Sequence, residues 1–111
     1  MTDFLDEPLN TRSRVLMTAE KLVNGDRNAQ YGPPEQDFQR TADIWTALIA
    51  HKLHPGERIE AHEVASFMIG LKLSRIVHSP LKEDSWTDAA GYAACGFDTA
   101  VRIQGEPDGD N

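Results

Sequence analysis

The sequence is short of several features that would narrow its function at once. It contains a single cysteine, Cys95, which excludes an internal disulfide framework and suits a reducing compartment. It has no apolar run of the ~18–20 residues that a membrane span needs. Its 11 basic residues form no dense run and are outnumbered by 18 acidic residues, giving a formal charge of −7. We therefore expect neither a membrane nor a nucleic acid as partner, because an acidic surface repels phosphate backbones.

What remains is the composition of a globular protein. The chain has 111 residues, 40% of them hydrophobic, which is enough for one domain with a core of its own. Its first residues, MTDFLDEPLN, are acidic and are not typical of a signal peptide. We therefore expect a cytoplasmic protein.

The chain divides into three parts by composition. Residues 1–10 are acidic and contain a proline, so we expect a flexible arm. Residues 11–104 are expected to form a single helical domain, because they show neither internal repeats nor strand-like alternation. The polar stretch 105–111, GEPDGDN, has nothing to bury and is predicted to be a disordered acidic tail.

Apolar residues recur at the three- and four-residue spacing of helices in four segments of the domain. These segments are separated by glycine and proline, including the stretch GDRNAQYGPP, which is predicted to be a loop. Four helices joined by short connections favour an all-α, antiparallel four-helix bundle. The predicted helices cover about 11–24, 34–51, 61–77 and 85–103.

The third predicted helix is apolar on nearly every side. From Val64 to Val77 its polar residues are two serines, Lys72 and Arg75. Such a helix lies at the centre of its domain or in a subunit interface. We therefore expect a homo-oligomer, a dimer or tetramer, with this helix near the interface; the alternative is a monomer in which it is simply central. In the fourth helix, Trp86 and Phe97 are expected to face inward.

Two pairs of acidic residues begin the third and fourth helices. Glu60 and Glu63 are three apart, and Asp84 and Asp88 are four apart, so each pair can share a helix face. One interpretation is local, because acidic residues stabilise the positive N-terminal end of a helix. The other is that the pairs converge on a hard cation such as Mg²⁺. In an antiparallel pair the two starts lie at opposite ends, so convergence would need a shifted helix or a neighbouring subunit.

Lys72 and Arg75 lie three apart on the otherwise apolar third helix. A long cation inside a domain must reach solvent, pair with an acid such as Asp88, or meet a substrate phosphate. Glu63 and Lys72 are nine apart, which is half a turn out of phase, so they should not face the same site in one subunit.

Three stretches carry a resemblance to a known group of proteins: GDRNAQYGPPEQDFQRTADIW, HEVASFMIGLKLSRI and DSWTDAAGYAA. They resemble small phage and prophage proteins of a domain-of-unknown-function family, often described as MazG-like, that is, similar to all-α nucleoside triphosphate pyrophosphohydrolases. Those enzymes carry E-x-x-E on one helix and E-x-x-D on the next. Glu60–Glu63 match the first motif, whereas Asp84 and Asp88 are four apart and depart from the second.

The resemblance implies a MazG-like bundle that hydrolyses a nucleoside triphosphate to a monophosphate and pyrophosphate with Mg²⁺ as cofactor, in the host cytoplasm for a phage protein. The metal would be held by Glu60, Glu63, Asp84 and Asp88. The catalytic residues would be Glu63, Lys72 and Asp88. The substrate would be bound by Arg27, Tyr31, Arg75 and Tyr92.

A rival interpretation is that the protein is not an enzyme. The altered second acidic pair favours a phage protein that keeps the bundle and binds a nucleotide or a host protein, and a purely structural interaction module is a third option. Two other kinds of site are not indicated. GDRNAQYG lacks the Lys-Ser/Thr of a phosphate-binding P-loop, and the histidines lack the cysteine partners of a typical zinc site.

Overall fold

The fold is all-α, which confirms the class predicted from the sequence. The computed structural model describes residues 10–105. Apart from Asn10 and Gly105, the predicted arm and tail lie outside the described residues. Four long helices carry the fold, with one short helix and one 3₁₀ turn between them. The helices are α1 (Thr11–Asn24), α2 (Asp26–Tyr31), α3 (Pro34–Ile49), α4 (Ala61–His78) and α5 (Glu83–Gln104), and the 3₁₀ turn is Ala50–Lys52.

The helix ends follow from local chemistry. The Asn10 side chain accepts a hydrogen bond of 2.8 Å from the backbone N–H of Ser13, which caps α1. Pro34 occupies the first turn of α3, where its missing N–H costs nothing. The boundaries of the four long helices therefore lie within two residues of those predicted.

The stretch predicted to be a loop contains α2, a correction to the sequence interpretation. Gly25 lets the chain turn tightly between α1 and α2, since a Cβ there would lie 2.9 Å from the Lys21 carbonyl oxygen. Gly32 ends α2 with φ +80°, a conformation that favours glycine. The glycines at both ends do interrupt the helices, as predicted, but the six residues between them form a short helix of their own.

Helices α4 and α5 form the central pair and run antiparallel. Lys72 lies opposite Asp88, and a Cβ at Gly96 would lie 2.8 Å from the Ala65 Cβ, so the register advances in opposite directions along the two helices. α1 packs along α5 in the same direction as α5, because Arg14 meets Glu83 at one end and Val23 reaches Gly91 further on.

The core is small and built largely from alanine and valine-sized side chains. It lies where α3, α4 and α5 meet, and Val23, Trp45, Met68 and Tyr92 pack around it partly buried. No helix within residues 10–105 combines the length and hydropathy that crossing a bilayer requires. The buried core cluster comprises Phe38, Ala42, Ile59, Ala61, Val64, Ala65 and Cys95.

The inward face predicted for α5 is wrong in the single chain. Trp86 is 47% exposed and Phe97 is 62% exposed, whereas the buried stripe of α5 holds Ser85, Cys95 and Thr99. Small side chains on that stripe allow α1 and α4 to approach α5 closely. The largest apolar side chains of α5 are therefore left on its outer surface.

Candidate functional site

A cavity of about 270 Å³ lies between α1, α2 and α5. α1 supplies an apolar wall, α2 contributes Arg27 and Tyr31, and α5 contributes Asp88 and Tyr92. Four of the side chains named from the sequence as site residues thus line one space, although they come from distant parts of the chain. The cavity is lined by Ala19, Leu22, Val23, Arg27, Gln30, Tyr31, Thr87, Asp88, Gly91, Tyr92 and Cys95.

Arg27 is surrounded by aromatic rings. Its guanidinium carbon lies 4.9 Å from the ring centroid of Phe38, 5.6 Å from that of Tyr92 and 5.9 Å from that of Tyr31. These distances are within the range of cation–π attraction. The arrangement brings the guanidinium group and both tyrosine rings together on one side of the cavity.

Arg27 is also held by an acid from the next helix. Its Nη2 donates to Asp37 Oδ2 at 2.7 Å, and both side chains are mostly buried. The Arg27 Nε–H is buried and has no hydrogen-bond partner within residues 10–105. One donor of this guanidinium is therefore uncommitted in a protein interior where most polar groups are paired.

Asp88 meets Lys72 at the edge of the cavity. The Lys72 Nζ lies 3.0 Å from Asp88 Oδ2, which confirms the pairing with Asp88 that was one of three arrangements predicted for this lysine. The Lys72 side chain is 12% exposed and that of Asp88 is 37% exposed. Asp88 therefore faces both the cavity and a fixed ammonium group.

Glu60 and Glu63 stabilise the start of their own helix, α4. The backbone N–H of Glu60 donates to Glu63 Oε1 at 2.8 Å, and the two residues form a capping box at the start of α4. Glu63 is nine residues from Lys72, which is about 14 Å along the helix axis and on the opposite face. These glutamates therefore do not join Asp88 in one chain.

The remaining predicted site residues lie apart from the cavity. Asp84 and Arg75 are exposed, and neither lines the cavity. Within residues 10–105, no group of three or more histidine, cysteine, aspartate or glutamate side chains is placed to hold a metal ion. The four carboxylates expected from the resemblance therefore do not fit a shared Mg²⁺ centre within one chain.

Some cavity residues were not predicted as site residues. Gln30 and Thr87 line the space with an amide and a hydroxyl, and Thr87 is buried. Asp37, the partner of Arg27, lies in the first turn of α3. No sequence motif marks these residues, because only the packing of α1 and α2 against α5 brings them together.

Cys95 lines the cavity but is not activated. It is buried, and this burial raises the pKa of its thiol above the ordinary value, with Arg27 opposing the change more weakly. The thiolate is the nucleophilic form, so a raised pKa makes this cysteine unreactive at neutral pH. Its part in the site is to supply an apolar surface.

The chain belongs to the family described as Domain of unknown function (DUF6378), whose family model matches residues 14–100. It is 33% identical over 93 residues to the Gene 55 protein of Mycobacterium phage D29, covering 84% of this chain and 55% of that protein. It is 34% identical over 79 residues to the Gene 55 protein of Mycobacterium phage L5, covering 71% and 47%. The chain thus spans about half the length of these curated relatives. No solved structure matches it.

Proposed function

We propose that this member of the DUF6378 family binds a nucleoside triphosphate in the cavity between α1, α2 and α5. The observation that carries the proposal is the convergence of Tyr31, Tyr92 and Arg27 on one side of that cavity. Three flat groups around an apolar space suit a planar heteroaromatic ring better than a flexible chain.

The chemistry of the lining suits a nucleobase. An aromatic side chain that stacks on a base contributes about 1–3 kcal/mol to binding. Gln30 and Thr87 offer donors and acceptors to the edge of a base or to a sugar hydroxyl. Cavities that combine apolar walls with a few polar groups are typical of small-molecule sites.

The size of the cavity indicates how the ligand would lie. A volume of about 270 Å³ takes a base and part of a sugar but not three phosphates. The phosphates would therefore extend toward the exposed edge near Asp88, where the Lys72 ammonium lies 3.0 Å from the Asp88 carboxylate. The protein has an overall charge of −7, so most of its surface repels an anion. Binding an anion in this cavity would therefore depend on the local positive charges of Lys72 and Arg27.

Hydrolysis of the bound nucleotide stays a prediction. The MazG-like, Mg²⁺-dependent reaction needs carboxylates from two helices around one cation, and the capping box keeps Glu60 and Glu63 away from Asp88 in one chain. The geometry of the single chain therefore supports nucleotide binding without catalysis better than it supports pyrophosphate release. The host cytoplasm is the proposed location.

Calorimetric titration of the full chain with a panel of NTPs and dNTPs tests the proposal. We expect saturable binding of one nucleotide per chain. Tyr31→Ala should weaken it about tenfold through loss of a stacking surface. The control is Leu48→Ala, which changes an exposed α3 residue outside the cavity and should bind as wild type does.

The same samples decide between the two interpretations. Pyrophosphate release in the presence of Mg²⁺ would show that the protein is an enzyme. Binding without release would support the non-catalytic interpretation. If no nucleotide in the panel bound, the proposed function would be wrong.

We also propose that the protein is a homo-oligomer through an apolar face on α4 and α5. This face consists of four large apolar residues that are between 47% and 84% exposed: Leu73, Val77, Trp86 and Phe97. Helical spacing places them on the side away from α3. Large apolar side chains exposed on one face favour association. A second copy of the chain is the proposed partner.

A further inference from the structure

Lys72 has an unusual place on α4. The stripe of α4 that faces α5 includes Ala61, Ala65, Met68, Lys72 and Ile76, and Lys72 is its one polar member. Its side chain is 88% buried, and its Nζ lies 3.0 Å from Asp88 Oδ2. A lysine so deeply buried needs a partner, and Asp88 is that partner.

The ammonium group is paired with the same Asp88 carboxylate that a divalent cation would need. A metal ion bound by Asp88 would share one carboxylate with a positive charge already within hydrogen-bond distance. The nearest neighbours of Lys72 on its own helix are Met68, Ile69, Arg75 and Ile76, so α4 offers a displaced ammonium no carboxylate. Binding a divalent cation at Asp88 would therefore take the carboxylate that pairs with Lys72 and leave the exposed Asp84, one turn away on α5, as the next acid on that helix face. Separating a largely buried ion pair in this way is costly.

We infer that Lys72 is the resident cation of this site, and that the cavity takes its anionic ligand without a divalent metal. The inference has two halves: the metal half says that Lys72 keeps a divalent cation from Asp88, and the ligand half says that the anionic ligand binds without a metal. The ligand half rests on the proposed nucleotide binding. The metal half concerns only Lys72 and Asp88, so it can be tested without any nucleotide. Lys72 thus acts as a specificity-determining residue that excludes the metal-dependent mode of binding.

Titration of the full chain with Mn²⁺ tests the metal half. Wild-type protein should show no saturable Mn²⁺ site below about 1 mM by electron paramagnetic resonance. Lys72→Glu places a carboxylate opposite Asp88, with Asp84 one turn away, so this variant should bind one Mn²⁺ per chain about tenfold or more tightly than wild type.

The matched control is Arg75→Glu, which makes the same charge change three residues later on an exposed part of α4. It should leave Mn²⁺ binding at the wild-type level. If Lys72→Glu fails to fold by circular dichroism, Lys72→Gln removes the ammonium with little change in length. That variant should raise Mn²⁺ affinity about threefold.

Two results would overturn the metal half. One is a stoichiometric Mn²⁺ site in the wild type that Asp88→Asn removes. The other is a folded Lys72 variant that gains no more Mn²⁺ affinity than Arg75→Glu does.

Nucleotide titrations with EDTA and with Mg²⁺ test the ligand half. The two Kd values should agree within about twofold, because the ligand meets a lysine and not a metal. Binding that needs Mg²⁺ would contradict the inference and leave the proposed function standing. Absence of binding under both conditions would contradict the proposed function and the ligand half, while the Mn²⁺ titration would still decide the metal half.

Discussion

At the scale of single residues, Arg27 links the stability of the fold to the shape of the site. It pairs with Asp37 at 2.7 Å and lies among the rings of Tyr31, Phe38 and Tyr92. The same contacts that anchor α2 to the bundle therefore set the positions of both tyrosines. A side chain with this double role cannot be identified from the sequence, where Arg27 lies in a stretch predicted to be a loop.

Arg27→Ala should destabilise the protein by about 2 kcal/mol, because it removes the 2.7 Å partner of the largely buried Asp37 carboxylate and leaves only the exposed Arg40 guanidinium, 3.7 Å away. Urea unfolding followed by circular dichroism measures the change. Arg14→Ala is the comparison, since it breaks an exposed pair with Glu83 and should cost clearly less. Equal losses in the two variants would show that the aromatic surroundings and burial of Arg27 contribute nothing.

The Arg14–Glu83 pair gives stability a specific pH dependence. Hydrogen bonds of 3.0 and 3.1 Å from Arg14 Nε to the Glu83 carboxylate lower the pKa of Glu83 below its ordinary value. A lowered pKa in the folded state stabilises the fold above the unfolded pKa, and this stabilisation is lost as the pH falls through the folded pKa.

Glu83→Gln should therefore be less stable than wild type at pH 7. The difference should shrink below about pH 4 and vanish once Glu83 is protonated in both states. Chemical unfolding at a series of pH values measures this, and a difference that stays constant down to about pH 2 would contradict the assigned pair.

At the scale of elements, the start of α4 shows how one motif supports two interpretations. Acids three residues apart are expected both in a metal site and in a capping box, and the sequence is the same in each case. The structure places Glu60 and Glu63 in a capping box. The choice depended on where α5 lies relative to that helix end, which spacing along the chain does not determine.

The capping box makes a prediction that a metal site does not. Glu63→Gln keeps an acceptor for the Glu60 N–H, so stability should stay close to wild type. Glu63→Ala removes the acceptor and should cost about 1 kcal/mol. Thermal unfolding compares the two, and equal losses in both would show that the carboxylate charge matters more than the cap.

The close approach of α4 and α5 makes a second prediction about elements. Gly96→Ala should destabilise the protein by about 1–3 kcal/mol, because the new Cβ would lie 2.8 Å from the Ala65 Cβ. Gly70→Ala is the control within α4, where a Cβ meets nothing within 4 Å, and it should stabilise by up to about 1 kcal/mol. Loss of stability in both variants would contradict the packing described.

Element positions were largely predictable, whereas element faces were not. The apolar spacing and the punctuation by glycine and proline located the four long helices. In α5, however, one apolar stripe contains Trp86 and Phe97, and another stripe contains Ser85, Cys95 and Thr99. The sequence favours the more hydrophobic stripe as the inward one, but close packing against α1, α3 and α4 selects the smaller side chains.

At the scale of the whole molecule, the exposed apolar face on α4 and α5 explains why α4 is apolar on nearly every side. The single chain uses only part of that circumference, so Leu73 and Val77 stay exposed. The chain also covers about half the length of its curated phage relatives. A second copy of the chain is the partner proposed to cover this face.

Sedimentation velocity should show a dimer or tetramer of the full chain at concentrations of about 10–100 μM. Val77→Glu should shift the protein toward monomer, since it places a charge in the proposed interface. Leu48→Glu, at an exposed position of α3, is the matched control and should leave the assembly unchanged. A wild-type monomer across this range would contradict the proposed homo-oligomer.

The most direct test of the central claim is to map nucleotide binding onto the backbone by NMR. We predict that adding the preferred nucleotide shifts amide signals in two stretches, residues 19–31 and residues 87–95, which contain the side chains that line the cavity. Shifts confined to the first turn of α4, around Glu60 and Glu63, would contradict the account and support a site built on that acidic pair.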